Sequence, residues 1–238
     1  MTKRHSYARR QARKTFRAFV AANRRLIAVV GVVLALSLVP TYLTDDAWSQ
    51  GFLTGMVAMA FLGVLAVGFA VHTEGLQQLA GAWGEDNTRD ELDKARKRGH
   101  IWGAVHNIEF GGFGDIDHVV LAPGGVLALE TKWKFRDLAR AWLHKDLRQA
   151  SAAAAKTRSV LRSKGFDVLH DVTPVVVVWG KGGHEIADGG ELVDGVHLVY
   201  GGELADWLVR WGSGRLAQDN AEPVLAKLEA FAQARAGS

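Results

Sequence analysis

Two long apolar runs near the N-terminus constrain this chain more than any other feature of its sequence. Residues 26–43 and 51–71 contain no charged side chain. Each run is long enough to cross a hydrocarbon layer of about 30 Å as a helix that rises about 1.5 Å per residue. Because only residues 44–50 separate them, the two helices would be antiparallel neighbours. The sequence therefore predicts a two-helix transmembrane hairpin over residues 26–72, followed by one soluble domain over residues 73–238.

The distribution of charge predicts the orientation of that hairpin. Residues 1–25 carry nine basic residues and no acidic one, whereas the connection between the runs contains Asp45 and Asp46. By the positive-inside rule the basic tail stays in the cytoplasm and the chain returns there after the second span. We therefore expect a multi-pass protein of the cell (inner or plasma) membrane with both termini cytoplasmic. The tail is expected to lie on anionic lipid, and nucleic-acid binding by the tail is the less favoured alternative.

Composition excludes some kinds of site and locates the positive charge. The chain has no cysteine, which excludes disulfides, thiolate metal sites and cysteine nucleophiles. The 213 residues after the tail carry 20 basic and 25 acidic residues, so the formal net charge of +4 belongs to the tail and not to the soluble domain. Within that domain, residues 132–164 hold ten basic residues against two acidic ones. This segment is the candidate surface for guiding a phosphate backbone.

The pattern after residue 73 predicts an α/β domain. Residues 173–179 are apolar without alternation, as expected of a strand that is buried on both faces. The order of elements predicts a mixed β-sheet flanked by helices. The predicted elements are a helix over 86–99, strands over 101–110, 115–122 and 126–133, a helix over 146–164, strands over 173–179 and 195–200, and a helical region from 202 to the C-terminus.

One predicted hairpin carries ionisable side chains on strands that are otherwise apolar. Asp117 lies on the first strand, and Glu130 and Lys132 lie on the second. Because side chains alternate along a strand, Glu130 and Lys132 share one face. A two-residue loop at Pro123-Gly124 would place Asp117 opposite Glu130, whereas a loop at Gly124-Gly125 would place it opposite Lys132. In both cases the three side chains converge on one face.

Two carboxylates beside a lysine suit metal-assisted hydrolysis of a phosphodiester. Neighbouring carboxylates repel each other and favour a cation between them, and their oxygens suit Mg²⁺. A lysine at the same place can orient or deprotonate water and offset charge on the phosphate. The plain alternative is an ordinary cross-strand ion pair on a solvated face, worth less than about 1 kcal/mol. Apolar neighbours such as Leu127 and Leu129 favour the chemical interpretation, because acids on central strands are costly to bury.

Four motifs between residues 81 and 132 follow one another in an order that resembles a known family. The motifs are Gly81-x-x-Gly84-Glu85, Asp115-Ile-Asp117-His118, Pro123-x-Gly125-Val126 and Glu130-Thr-Lys132. They resemble the nuclease-related domain, or NERD, family of the PD-(D/E)xK restriction-endonuclease-like superfamily. The resemblance implies a restriction-endonuclease-like mixed sheet behind the membrane hairpin. The family commonly has asparagine after the lysine, where this chain has Trp133.

The resemblance also implies a role for each of five residues. Asp117 and Glu130 would be ligands of Mg²⁺, with Mn²⁺ as an alternative, and Lys132 would be the catalytic lysine. Glu85 would support the metal or the water, and Gln149 would match the glutamine that follows the lysine motif in related nucleases. The implied function is that of a membrane-anchored, metal-dependent nuclease, with DNA favoured over RNA as the substrate. The alternative is a membrane-tethered scaffold that binds nucleic acid or protein through an inactive nuclease fold.

Overall fold

The computed structural model describes residues 7–39, 42, 46–72, 75–108, 115–136, 140–166, 171–211 and 216–236. The chain divides into two compact units, Met1–Leu79 and Ala80–Ser238. The first unit contains three helices, and a fourth begins near its end. The second contains one sheet with helices on both faces.

The first unit contains the apolar segments. Its helices are α1 (Tyr7–Ala22), α2 (Arg24–Leu36) and α3 (Ala47–His72). Helix α2 packs against α3, where the position of a Cβ on Gly31 lies 3.6 Å from the ring of Phe61. Near the end of α3, the ring of Phe69 meets the ring of Phe16 at 5.3 Å and that of Phe19 at 6.0 Å. Aromatic contacts therefore hold α1 against α3.

Helix α3 is long and apolar enough to cross a membrane over Ala47–Ala70. The first apolar run differs from the predicted single span, because α2 ends at Leu36 and residues 37–39 form a tighter turn. The rest of that run lies largely outside the described residues. Within the described residues, a second candidate span is present only if Thr15–Ala22 and Arg24–Leu36, which are bent by 71°, count as one. The described part of the chain is thus consistent with a hairpin and contains one or two candidate spans.

The second unit is an α/β domain, as predicted. Its sheet has six strands in the order β1-β2-β3-β4-β6-β5. Strands β1, β2 and β3 form an antiparallel meander, β3, β4 and β6 are parallel, and β5 is an antiparallel edge strand. The elements are α4 (Gly75–Lys97), β1 (Gly103–Ile108), β2 (Ile116–Ala122), β3 (Gly125–Lys134), α5 (Arg140–Ser163), β4 (Val172–Gly180), β5 (Glu191–Val193), β6 (Val196–Tyr200), α6 (Leu204–Arg210) and α7 (Gln218–Ala236), with 3₁₀ turns at Lys181–Glu185 and Gly201–Glu203.

Alternation along the strands divides the core between the two faces of the sheet. One face, which includes Val119 and Ala128, packs against α5 and α7. The opposite face, which includes Leu127 and Leu129, packs against α4 and α6. Residues Val175–Val178 of β4 are buried on both faces, as the uninterrupted apolar run predicts. Strands β3 and β4 are therefore central, and any polar group on them is held rigidly.

Helix ends follow the predicted glycines, whereas helix starts do not. Gly99 and Gly165 have φ of +76° and +81°, and each follows a helix within two residues. The amide of His100 reaches back to the Ala95 carbonyl at 2.9 Å, which closes the last turn of α4. By contrast, α4 and α5 begin at Gly75 and Arg140, well before the predicted starts at 86 and 146.

Candidate active site

The turn between β2 and β3 fixes which side chains face each other. Ala122 pairs with Gly125, so the two-residue loop is Pro123-Gly124, the first of the two predicted alternatives. The register continues to His118 opposite Leu129, which places Asp117 level with Glu130. The Thr131 amide donates a hydrogen bond to Asp117 Oδ2 at 2.7 Å. Backbone pairing therefore positions the Asp117 carboxylate at the end of the ladder.

Glu130 lies on the α5 face of β3 and accepts hydrogen bonds from two of the predicted residues. The Lys132 ammonium donates to Glu130 Oε1 at 2.7 Å. The amide of Gln149, in the first half of α5, donates to the same oxygen. Glu130 is 2% exposed, and its second oxygen, Oε2, is buried without a hydrogen-bond partner among the described residues. One carboxylate oxygen is thus held in place and the other is available for a ligand.

Glu85 reaches the same cluster from α4. Its helix lies close to β3, since a Cβ at Gly84 would meet the Thr131 methyl at 3.1 Å. Glu85 Oε2 is also buried and lacks a partner within the described residues. Burial first, and then the negative charge of Asp86 and Glu130, raises the pKa of Glu85 to about 7. The site therefore contains a third carboxylate that resists ionisation.

Burial and repulsion between the carboxylates change the pKa values of Asp117, Glu130 and Lys132. Burial raises the pKa of Asp117 and of Glu130, and the charge of a neighbouring carboxylate raises each further. Burial alone would lower the pKa of Lys132, but the charge and hydrogen bond of Glu130 hold it above its ordinary value. The lysine therefore stays charged while the carboxylates share protons. The three carboxylates are balanced by the Lys132 ammonium and, at Glu85, by the charge of Arg89, and their raised pKa values show that the burial of negative charge is not fully offset.

Two supporting contacts were not predicted from the sequence. Thr88 on α4 is fully buried, and its hydroxyl accepts a hydrogen bond from Trp179 Nε1 at 2.8 Å and contacts the Thr131 hydroxyl at 3.2 Å. On the other face, the Lys134 ammonium lies 2.6 Å from Asp146 of α5. The two contacts fix α4 and α5 to opposite faces of β3 next to the cluster. A sequence pattern shows neither of them, because each requires knowledge of which helix covers which face.

His118 lies on the opposite face of the sheet from Asp117, as strand alternation predicts. Its Nδ1 is 2.8 Å from Nδ1 of His106, which is its direct partner on β1. Burial lowers the pKa of both imidazoles, that of His106 to about 4, so the pair is neutral at pH 7. The pair braces the β1–β2 ladder and contributes no charge to the carboxylate cluster.

The donor set fits a hard divalent cation with open coordination positions. Asp117 and Glu130 offer carboxylate oxygens, the kind of ligand that Mg²⁺ prefers. The unpartnered Glu130 Oε2 is the observation that favours a cation here. Among the described residues, no three histidine or acidic side chains form a complete metal-binding group. The missing ligands would come from water and substrate oxygens, which is how Mg²⁺ is usually held.

A comparison with known proteins finds a match over the part of the chain that contains the cluster. Residues 80–179 match the family model of the nuclease-related domain, NERD. This match contains Glu85, Asp117, Glu130, Lys132 and Gln149. Neither the curated proteins nor the solved structures contain a match to the chain. The family match and the observed mixed sheet agree on a restriction-endonuclease-like fold.

Proposed function

We propose that this chain, whose residues 80–179 form a nuclease-related domain of the restriction-endonuclease-like superfamily, hydrolyses nucleic-acid phosphodiester bonds beside a membrane. The observation that carries the proposal is the meeting of Asp117, Glu130 and Lys132 at the ends of two central strands, with an unpartnered carboxylate oxygen between them. Buried carboxylate oxygens are usually hydrogen-bonded, so the unpartnered Oε2 of Glu130 favours a bound cation over a purely structural ion pair.

Lys132 and Gln149 would act as positioning groups before they act on substrate. Both donate to Glu130 Oε1, so they fix the direction in which Oε2 points. The Lys132 side chain is 22% exposed, so its ammonium is accessible to a phosphate oxygen or to an attacking water. As a charged group it would offset the negative charge that develops on phosphorus and orient the water. Glu85, whose pKa is raised to about 7, can supply or accept a proton beside the reacting water.

Asp117 and Glu130 would hold the divalent cation, Mg²⁺ or alternatively Mn²⁺. When bound, such a cation lowers the pKa of water and stabilises charge on phosphate. The Thr131 amide keeps Asp117 Oδ2 in place, which leaves Oδ1 toward the site. A cation would also relieve the repulsion that raises the pKa of both carboxylates. The excess negative charge of the carboxylates would therefore favour binding of the metal that the proposed hydrolysis requires.

The membrane anchor would be formed by residues 26–71, in the cell (inner or plasma) membrane. Helix α3 leaves large apolar side chains in contact with solvent, with Met59 70% exposed and Val67 63% exposed. A water-soluble helix rarely presents such a surface on all sides. The basic residues of the tail would lie on anionic lipid with both termini in the cytoplasm.

The nuclease is tested with the full-length protein in detergent. Labelled single- and double-stranded DNA and RNA are incubated with wild type and with Lys132→Ala and Asp117→Asn, in Mg²⁺, Mn²⁺ or chelator. We expect metal-dependent cleavage that falls about a hundredfold or more in both variants, whereas Lys97→Ala, which removes an exposed lysine at the end of α4, retains activity. Folded wild type that cleaves none of these substrates would favour the second candidate, a tethered scaffold for nucleic acid or protein. The net negative charge of the soluble domain is the observation that favours this candidate.

The topology has its own test, because the chain contains no cysteine. Single cysteines at Thr2, Ser49 and Ser238 can be labelled in intact cells with a maleimide that does not cross membranes. We expect labelling at Ser49→Cys alone. Labelling at Thr2→Cys or Ser238→Cys would contradict the proposed orientation.

A further inference from the structure

Three aromatic rings, of which two are exposed and one is partly buried, contact one another near the carboxylate cluster. The ring of Trp133 lies 6.2 Å from that of Trp83 and 6.3 Å from that of Phe135, centroid to centroid. Trp83 is 52% exposed and Phe135 is 54% exposed. The three rings, called the aromatic patch below, are inclined to each other by 64° and 56° and are not stacked face to face. Trp83 and Phe135 each contact Trp133 and still keep exposed ring surface.

The patch is built onto the same elements as the proposed catalytic residues. Trp133 follows Lys132 on β3, and Trp83 precedes Glu85 by two residues on α4. The contact of Gly84 with Thr131 brings the two elements together, and a Cβ at Gly84 would lie 3.9 Å from the Trp133 ring. The distance between the patch and the cluster is thus set by regular secondary structure rather than by a loop. By strand alternation Trp133 lies on the α4 face of β3 and Lys132 on the α5 face, so Glu85 of α4 is the cluster residue on the side of the patch.

Exposure of these rings requires an explanation because burial would stabilise the domain. Of the large hydrophobic side chains of the second unit that the structure describes, the other exposed ones are Leu192 and Val209, and neither is aromatic. Leaving an aromatic side chain in water forfeits the free energy of its burial. The exposed Arg136 follows Phe135 just after β3, whereas Lys132 lies on the opposite face of the strand from Trp133. Exposed aromatic rings near positive charge are a combination that binds single strands.

We propose that the aromatic patch stacks unpaired bases, so that the domain takes single-stranded nucleic acid in preference to duplex. The inference rests on the proposed function only in that the substrate is nucleic acid. Bases in a duplex hide their faces in the helical stack, whereas every unpaired base presents a face to an aromatic ring. The preference is independent of sequence, because each base has such a face.

Binding to a series of oligonucleotides tests the inference. Full-length protein in detergent and chelator, where cleavage is blocked, is titrated into three labelled 20-mers by fluorescence anisotropy. The 20-mers are oligo-dT, its duplex with oligo-dA, and an abasic strand that has the same phosphates and no bases. We expect wild type to bind oligo-dT about tenfold more tightly than the other two. Trp83→Ala and Phe135→Ala should each remove most of this preference, whereas their affinity for the abasic strand is unchanged.

Two matched variants separate stacking from folding. Trp83→Phe retains a ring and should keep most of the preference, and Leu192→Ala removes an equally exposed apolar side chain far along the chain and should keep all of it. Equal affinity of wild type for oligo-dT and the abasic strand would overturn the inference. So would loss of the preference when the protein is placed in phosphatidylcholine vesicles, because that result would assign the patch to the lipid interface.

Cleavage assays keep this inference distinct from the nuclease proposal. Cleavage of single and double strands at equal rates, with Trp83→Ala unaffected, would refute the stacking role and leave the nuclease intact. A base preference that depends on Trp83, found in a protein that never cleaves, would support the stacking role and refute the nuclease.

Discussion

Removing one carboxylate from the cluster should stabilise the domain in a way that depends on pH. Glu85 is held mainly by burial in a state that disfavours its charge. In Glu85→Gln the side chain keeps nearly the same shape and never ionises. The variant therefore removes the cost of placing a third negative charge next to Asp117 and Glu130. The effect concerns the metal-free protein, so chelator is present throughout.

The magnitude follows from the pKa of Glu85 in the two states. The difference between 4.5 in the unfolded chain and about 7 in the folded protein corresponds to about 3 kcal/mol. Because the folded pKa is the higher one, this contribution to stability is fully present below pH 4.5 and is lost as the pH rises to 7. Relative to wild type, Glu85→Gln should therefore gain up to about 3 kcal/mol between pH 5 and pH 8.

Urea unfolding of the second unit, followed by tryptophan fluorescence of the full-length protein at pH 5, 6, 7 and 8, measures this gain. The control is Asp93→Asn, which removes an exposed carboxylate from the same helix and should follow wild type at every pH. A difference between Glu85→Gln and wild type that is constant from pH 5 to pH 8 would refute the reasoning. It would mean that Glu85 ionises at its ordinary pKa and lies outside the cluster.

Substitutions at four further positions test the packing that holds the site. Gly201→Ala should destabilise the domain by about 1–3 kcal/mol, because the added Cβ would clash with the ring of Trp179. Gly81→Ala should stabilise α4 by about 0.5–1 kcal/mol, because the added Cβ meets nothing within 4 Å and alanine favours a helix. Thr88→Val should lower the free energy of unfolding by about 1–3 kcal/mol and lower nuclease activity, because it leaves Trp179 Nε1 without an acceptor. Thr88→Ser, which keeps the hydroxyl, should retain both the stability and the activity of wild type. Leu129→Ala should cost about 2–5 kcal/mol in thermal or urea unfolding because the side chain is fully buried. Equal stability of either glycine or leucine variant with wild type would contradict the packing described.

From the sequence, the convergence of the three site residues could be predicted, whereas the turn, the edge strand and the histidine pair around them could not. The convergence of Asp117, Glu130 and Lys132 followed from strand alternation, which both possible turn registers preserved. The choice between the registers required the structure, because Pro123-Gly124 and Gly124-Gly125 are both good turns. Strand β5 has three residues at an exposed edge, too few to create a periodic pattern. The His106–His118 pair was missed because it depends on the register between β1 and β2.

The atoms left without partners in the cluster indicate what the site was built to receive. A domain selected for stability alone would gain by replacing buried charges with apolar side chains of similar volume. Here Lys132 and Gln149 both donate to one oxygen of Glu130, while Oε2 of Glu130 and Oε2 of Glu85 have no hydrogen-bond partner among the described residues. Unpartnered carboxylate oxygens favour a cation or a protonated ligand and would repel a phosphate by themselves. The phosphodiester and the cation would therefore have to enter this site together, with Lys132 as the chain's own contribution of positive charge.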